Sequence, residues 1–303
     1  MNLRPLGYEP SELPSCSTPR CVSPTVHAIW TVSQSPGQRT TVLGMPTESS
    51  PFLSFPHRAV AQITLSNPPV NALTRPATRR LHAVLREVAR DATIRAVVLT
   101  GERVFSAGSD ISEMPEMQSD GDVLARKSAF ENATLDLLAD LPLPTVAAVD
   151  GFALGGGLEM ALCCDLVVAD AGARLGLPEI DLGVIPSSGG TMRALRRVGQ
   201  ARAAELVLLG EPIAAETALE WGLINRVAPR GASLSVALDL AQTLARKSRS
   251  AVHANKRALE LTFGRSPYEP ARRALPVFEE AFESMDGREG VRAFLAKESP
   301  RFR

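Results

Sequence analysis

The hydrophobic pattern predicts alternating strands and helices through the first half of the folded region. Residues 59–67 (AVAQITLSN) alternate between apolar and polar side chains, which is typical of a strand with one buried face. Short apolar runs at residues 94–101 and 144–151, each ending on glycine, predict buried strands. Apolar side chains at helical spacing predict helices over residues 74–90 and 122–140. Strands that alternate with helices indicate an α/β fold.

The rest of the chain is mainly helical in pattern. Amphipathic or glycine-terminated apolar runs predict successive helices over residues 200–210, 214–223, 232–248, 250–263 and 269–285. A largely helical end of this kind is expected to pack on the core or on a neighbouring subunit.

The N-terminal segment differs in composition from the rest of the chain. Nine prolines, with many serines between them, interrupt both periodicities, so residues 1–56 are predicted to form a disordered or loosely attached tail. We divide the remainder into a core over residues 57–250 and a helical region over 251–303. We expect a cytoplasmic protein, or one of the mitochondrial matrix if the tail is a transit peptide. A start of translation at Met45 is the third interpretation.

Composition and charge serve mainly to exclude partners. The 303 residues are 45% hydrophobic and 22% charged, and the formal net charge is zero. Nothing therefore favours nucleic acid or an anionic membrane surface as a partner. No apolar run reaches the roughly 18 residues of a membrane span. The four cysteines and four histidines form no disulfide framework or metal-binding motif, so we expect no metal.

The glycine-rich stretch GGGLEMALCCD (155–165) invites a nucleotide-binding interpretation, but phosphate-binding signatures are missing from the sequence. It contains no G-x-x-x-x-G-K-[ST], and no clean G-x-G-x-x-G between a strand and a helix. It also lacks the G-x-S-x-G elbow of serine hydrolases and the H-E-x-x-H motif of zinc enzymes. What remains is a pair of carboxylates and two glycine-containing turns.

The two carboxylates are Glu159 and Glu179. Glu159 follows the three glycines and is predicted in the first turn of a helix, where an acid is either an ordinary cap or a reactive group beside unpaired N–H groups. Glu179 stands between apolar residues, which predicts either solvent exposure or burial for a purpose. If the two share a pocket, their repulsion yields one acid and one base. Sequence spacing alone leaves both interpretations open.

Together these segments resemble the crotonase, or enoyl-CoA hydratase/isomerase, superfamily. The resemblance covers residues 57–303 and implies a crotonase-type spiral of ββα units with a helical C-terminal trimerisation region. It also implies a homotrimer or a dimer of trimers. The segments that carry it, in the family's order and spacing, are NPPVNAL (67–73), FSAGSDISEM (105–114), AAVDGFALGGGLEMALCCDLVVA (147–169), LGLPEIDLGVIPSSGGT (175–191) and AAELVLLGEPIAAETALEWGLINRV (203–227).

The resemblance further implies a chemistry. Family members bind acyl-CoA thioesters, without a separate cofactor, and stabilise an enolate-like oxyanion on the thioester carbonyl. By motif, the backbone N–H groups of Ala107 and Gly156 form that oxyanion hole. Glu159 helps to activate the water that adds at Cβ, and Glu179 delivers the proton to Cα. Possession of both glutamates favours hydration of a trans-2-enoyl-CoA to a 3-hydroxyacyl-CoA.

Contacts with coenzyme A are implied by the same resemblance. Ser109, Asp110 and Ile111 match the segment that touches the adenine end. Phe278 and Lys297 match C-terminal positions that reach coenzyme A, often from the adjacent subunit, although a solvated lysine at a helix end is an equally good interpretation of Lys297.

The chain departs from the family pattern at Ser109, Ser187, Ser188 and Met192, positions that are expected to line or support the acyl pocket. Chain length and reaction preference therefore stay open. The nearest alternative is a Δ3,Δ2-enoyl-CoA isomerase or another crotonase-type acyl-CoA enzyme. A more distant one is a non-catalytic acyl-CoA-binding protein in which the two glutamates are structural caps.

Overall fold

The computed structural model describes residues 52–261, 279–280 and 282–302. Strands β1–β9 are Phe52–His57, Val60–Leu65, Ala96–Gly101, Thr145–Val149, Phe152–Leu154, Leu166–Asp170, Arg174–Gly176, Ile213–Ala214 and Arg226–Ala228. Helices α1–α9 are Arg75–Arg90, Met114–Ser119, Gly121–Ala139, Gly156–Cys163, Gly190–Leu209, Ala215–Trp221, Ser233–Ala245, Arg249–Leu261 and Met285–Ala296. Short 3-10 helices span Ile111–Glu113 and Pro178–Leu182.

The described strands form two sheets. The larger has the order β1-β2-β3-β4-β6-β9, and its neighbours are parallel except for the antiparallel pair β1 and β2. The smaller has the order β5-β7-β8, with β5 and β7 parallel and β7 and β8 antiparallel. Parallel neighbours need crossover connections, which helices supply here. The predicted α/β class is confirmed.

The central strands of the larger sheet are covered on both faces. On one face, Val98 and Ala148 pack with Ala237 of α7. On the other, Leu99 belongs to the large apolar cluster that includes Leu85 of α1. Strands buried on both faces appear in the sequence as continuous apolar runs, which is the pattern that predicted β3 and β4.

Helix α1 illustrates how the sequence defines an element. The Thr74 hydroxyl accepts a hydrogen bond from the N–H of Ala77 at 3.2 Å, and a proline lies in the first turn, both common at helix starts. The apolar side chains at helical spacing are the ones that the helix buries, namely Leu81, Val84, Leu85 and Val88.

The helices predicted over residues 200–210, 214–223, 232–248 and 250–263 correspond to α5–α8, with small shifts at their ends. Helix α5 starts earlier than predicted, at Gly190. Gly199 interrupts it with non-helical backbone angles (φ 74°, ψ 173°), so the predicted start coincides with a kink.

Other predictions meet the limits of the described residues. Strand β1 begins at Phe52, before the predicted start of the core at residue 57. Most of the predicted tail, and most of the helix predicted over residues 269–285, lie outside the described residues. Within the described part of the chain, no helix is both long enough and apolar enough to cross a membrane.

Candidate active site

A cavity of about 270 Å³ lies between α3, the start of α4 and the segment after β7. Both glutamates singled out in the sequence line it. Its lining consists of Ala107, Ser109, Ile111, Met114, Lys127, Ser128, Glu131, Gly155, Gly156, Glu159, Pro178, Glu179, Leu182, Val184, Ile185 and Ser187.

Glu159 lies in the first turn of α4 and is only 2% exposed. Its Oε1 accepts hydrogen bonds from the backbone N–H groups of Ser188 and Gly190, each at 2.7 Å. Burial raises the pKa of Glu159 to about 7, although these two N–H groups oppose the shift. The nearby carboxyl groups of Glu179 and Glu131 raise this pKa further. Glu159 can therefore change protonation state near neutral pH.

Glu179 projects from the 3-10 helix Pro178–Leu182 into the same cavity. Its Oε2 is buried and accepts no hydrogen bond from the described residues. Burial raises the pKa of Glu179, because the charged form loses hydration. A Cβ atom on Gly155 would lie 3.0 Å from Oε1 of Glu179, so glycine leaves room for the carboxyl group at the start of α4.

The structure conflicts with one predicted oxyanion donor. The backbone N–H of Ala107 donates to the carbonyl oxygen of Val70 at 2.9 Å. That hydrogen bond directs the N–H away from a ligand, although Ala107 does line the cavity. Ala107 is therefore corrected from oxyanion donor to part of the lining.

After Ala107, the first backbone N–H without a hydrogen-bond partner among the described residues belongs to Ser109, because the N–H of Gly108 donates to the hydroxyl group of Ser106. Ser109 forms a parallel bridge with Leu73, in which the N–H of Leu73 donates to Gly108 and the N–H of Asp110 donates to Leu73. Successive N–H groups of an extended chain alternate in direction, so the N–H of Ser109 points away from Leu73. Among the described residues, no hydrogen bond uses it.

Gly156 and Ser109 face each other across the start of α4. A Cβ atom on Gly156 would lie 3.4 Å from the backbone nitrogen of Ser109. A Cβ atom on Gly108 would lie 3.0 Å from the backbone nitrogen of Gly156. The Gly156 N–H is one of the first-turn donors that lack an intrahelical partner, and no described residue accepts from it. The two N–H groups together can bind one carbonyl oxygen.

The residues predicted to contact coenzyme A are distributed unevenly. Ser109 and the 57% exposed Ile111 line the cavity. Asp110 caps the 3-10 helix Ile111–Glu113, because its Oδ1 accepts from the N–H of Ser112 at 2.9 Å. Lys297 is exposed just beyond the end of α9, and Phe278 lies outside the described residues.

Two polar residues of the cavity did not emerge from the sequence. Glu131 of α3 is 4% exposed, and its Oε1 accepts from the hydroxyl groups of Ser109 at 3.2 Å and Ser188 at 3.4 Å. Burial raises the pKa of Glu131. One turn earlier, the buried Nζ of Lys127 lies 3.0 Å from Oε2 of Glu113.

The residues at which the chain departs from the family pattern do not all lie in the cavity. Ser187 lines the cavity, and the fully buried Ser188 holds both Glu159 and Glu131. Met192, in contrast, is 44% exposed and lies outside the cavity lining. In the described residues, no cluster of three or more His, Cys, Asp or Glu side chains could hold a metal ion.

Comparison with known proteins identifies the family. Residues 56–303 match the family model described as enoyl-CoA hydratase/isomerase. The chain belongs to this family, and the crotonase resemblance of its motifs is confirmed.

Its relatives agree with this assignment. A probable enoyl-CoA hydratase of Bacillus subtilis is 39% identical over 251 residues, covering 80% of this chain and 95% of the relative. The 2,3-dehydroadipyl-CoA hydratase of Escherichia coli is 39% identical over 246 residues, with the same coverage of each chain.

Solved structures have the same fold. Pseudomonas aeruginosa DspI superposes with a TM-score of 0.80 at 32% identity, covering 87% of this chain and all of that one. An enoyl-CoA hydratase from Bacillus anthracis gives a TM-score of 0.78 at 30% identity, covering 83% of this chain and 98% of its own. The predicted crotonase-type fold is confirmed.

Proposed function

We propose that this chain is an enoyl-CoA hydratase, which adds water across the trans-2 double bond of an enoyl-CoA thioester and gives a 3-hydroxyacyl-CoA. Relatives named enoyl-CoA hydratase support the proposal. The observation that carries it is that Glu159 and Glu179 line one cavity beside two unused backbone N–H groups.

The thioester carbonyl oxygen binds to the N–H groups of Ser109 and Gly156. These donors are part of the backbone and are already oriented, so they stabilise the negative charge that develops on the oxygen in the transition state. Each such donor typically contributes about 3–4 kcal/mol. Ser109 replaces Ala107 in this role, because the Ala107 N–H is bonded to Val70.

Glu159 acts as the general base. Two N–H groups hold its Oε1, and its Oε2 accepts no hydrogen bond from the described residues and can face the water. Hydrogen bonds to Oε1 favour the charged carboxylate, which is the form that accepts a proton. The water oxygen bonds to Cβ while one of its protons passes to Glu159.

Glu179 acts as the general acid. Its buried Oε2 lacks a donor partner among the described residues, so the protonated carboxyl is the better-tolerated form. Its proton passes to Cα as the enolate collapses. The proton that Glu159 gained from water is then transferred to Glu179, which restores the starting protonation state of both groups. These steps use only groups of this chain, water and substrate, and need no separate cofactor.

A panel of thioesters tests the proposed function. The enzyme is mixed with trans-2-enoyl-CoA esters of increasing length, and hydration is followed as loss of enoyl absorbance. Turnover of at least one ester to the 3-hydroxyacyl-CoA is expected. Conversion of a 3-enoyl-CoA into the 2-enoyl-CoA without hydration would favour the isomerase instead. Binding of these esters without any turnover would favour the non-catalytic alternative.

The predicted trimer belongs to the same proposal. Large apolar side chains on α5 remain uncovered in the single chain, notably Leu208 at 67% and Leu209 at 59% exposure. Contact with neighbouring subunits would bury them and gain hydrophobic free energy. Light scattering of the purified protein is expected to give the mass of a trimer or a dimer of trimers.

A further inference from the structure

The proposed acyl cavity has a polar side and an apolar side. On α3, Lys127, Ser128 and Glu131 face the cavity within one helical turn, and we call these three residues the polar wall. The segment after β7 supplies apolar side chains, including Leu182 and Val184. Pockets for plain alkyl chains are lined predominantly by apolar groups, so a buried acid and a buried amine here require a reason.

One carboxylate oxygen of Glu131, Oε2, is free to bind a ligand. Both of its hydrogen bonds, from the hydroxyl groups of Ser109 and Ser188, go to Oε1. In the described part of the chain, Oε2 accepts none. Only 4% of the residue is exposed, but Oε2 is not fully buried, so water in the cavity can satisfy that oxygen when no ligand is bound. A ligand group that donates a hydrogen bond would do so.

Lys127 offers the complementary donor. Its side chain is 6% exposed, and Nζ lies 3.0 Å from Oε2 of Glu113. This contact is an ion pair without hydrogen-bond geometry, and no described residue accepts a hydrogen bond from Nζ. The polar wall therefore combines a free acceptor oxygen on Glu131 with a buried ammonium group on Lys127 that lacks a hydrogen-bond acceptor among the described residues.

The chemistry of the polar wall discriminates between possible acyl groups. An alkyl chain laid against it would displace water from the free oxygen of Glu131 without replacing the lost hydrogen bond. A carboxylate would meet two acids, Glu113 and Glu131, for one lysine. A hydroxyl group is neutral, and it both donates and accepts. It is the group that matches the polar wall.

We propose that the polar wall is a subsite for a hydroxyl group of the acyl chain, so that the preferred substrates are enoyl-CoA thioesters hydroxylated beyond the double bond. The inference rests on the proposed function for the identity of the thioester. Ser188 contacts Glu131 through its hydroxyl group and Glu159 through its N–H, which places the subsite close to the reacting carbons.

Binding of unreactive esters tests the subsite independently of catalysis. The dissociation constant of hexanoyl-CoA is compared by calorimetry with those of 4-, 5- and 6-hydroxyhexanoyl-CoA, which are saturated and cannot be hydrated. We expect at least one hydroxylated ester to bind the wild-type protein about tenfold more tightly than hexanoyl-CoA, as for one hydrogen bond to a charged group.

Variants test whether Glu131 causes the preference for hydroxylated esters. Glu131→Met keeps the length of the side chain and is expected to remove or reverse the preference. Glu131→Gln retains an acceptor oxygen and should keep part of it. Glu216→Met, at an exposed position on α6, is the matched control and should leave the preference unchanged.

Three results would overturn the proposal. They are equal or weaker binding of all the hydroxylated esters, a preference that survives in Glu131→Met, and tighter binding of the dicarboxylic adipyl-CoA than of any hydroxylated ester. Hydration of the panel of trans-2-enoyl-CoA esters is measured in parallel. Its absence would contradict the proposed function while leaving the binding comparison valid.

Discussion

The backbone N–H of Ser188 donates to Oε1 of Glu159 at 2.7 Å, across a sequence separation of 29 residues. The contact joins the first turn of α4 to the loop before α5, and Gly190 donates to the same oxygen. These hydrogen bonds favour the charged carboxylate, whereas burial favours the neutral acid. Burial is the larger effect, and the resulting pKa of about 7 makes the proposed role of Glu159 dependent on pH.

The activity is therefore expected to follow a bell-shaped pH profile. Glu159 must be charged to accept a proton, so kcat/KM should rise with pH through about 7. Glu179 must be protonated to donate, and burial raises its pKa, which extends the pH range in which it keeps its proton. Because the two groups interact, the apparent values belong to the pair. Initial rates with crotonyl-CoA measure the profile, and a flat profile through pH 7 would contradict this role.

Gly156→Ala is expected to impair catalysis more than folding. The new Cβ would lie 3.3 Å from Oγ and 3.4 Å from the backbone nitrogen of Ser109, which is tight but requires only small shifts. It would stand between the two proposed oxyanion donors and keep the carbonyl oxygen away. We expect kcat to fall about 100-fold. Steady-state rates and chemical denaturation should be measured on the same preparation.

Gly157→Ala is the matched contrast. Here the Cβ would lie 2.4 Å from the backbone carbonyl oxygen of Ser106, which has little freedom to move. The free energy of unfolding is expected to fall by about 3 kcal/mol, as for a strongly overpacked core. If Gly156→Ala were fully active, or if it destabilised the protein as much as Gly157→Ala does, the oxyanion role of this turn would be wrong.

Arg197→Met is expected to destabilise the protein. The guanidinium donates to the carbonyl oxygens of Leu162, Cys164 and Leu223, and so joins the C-terminal end of α4 to the segment that follows α6. Its removal leaves these acceptors without a donor and should lower the free energy of unfolding by about 2–3 kcal/mol. Denaturant titration at fixed protein concentration measures this change. Arg226→Met, at an exposed position, should stay close to wild type.

The long elements of the fold were predictable from local patterns, and the shortest were not. Helix α1 and strand β3 are long enough to show a period or a continuous apolar run. Strands β5, β7 and β8 have only two or three residues each. Their existence depends on pairing between distant segments, such as Leu154 with Gly176, which no local pattern encodes.

The site was predicted as far as motifs identify residue types. The motifs indicated that Glu159 and Glu179 belong to one site, and both line the cavity. They could not tell which N–H of the loop faces a ligand, and this explains the error at Ala107. Glu131 was missed because an acid on a helix is usually solvated. Its spacing from the buried Leu135 and Leu138 was the available signal that it lies on the buried face of α3.

The most direct test is the hydration of crotonyl-CoA by Glu159→Gln and Glu179→Gln. Asp181→Asn is the matched control, because Asp181 is exposed on the same 3-10 helix as Glu179. We expect each glutamine variant to lower kcat by about 1,000-fold, since general acid–base groups typically contribute factors of that order, and the control to stay near wild type. Near-wild-type hydration by Glu159→Gln would contradict the assignment of Glu159 as the general base, and with it the two-glutamate mechanism.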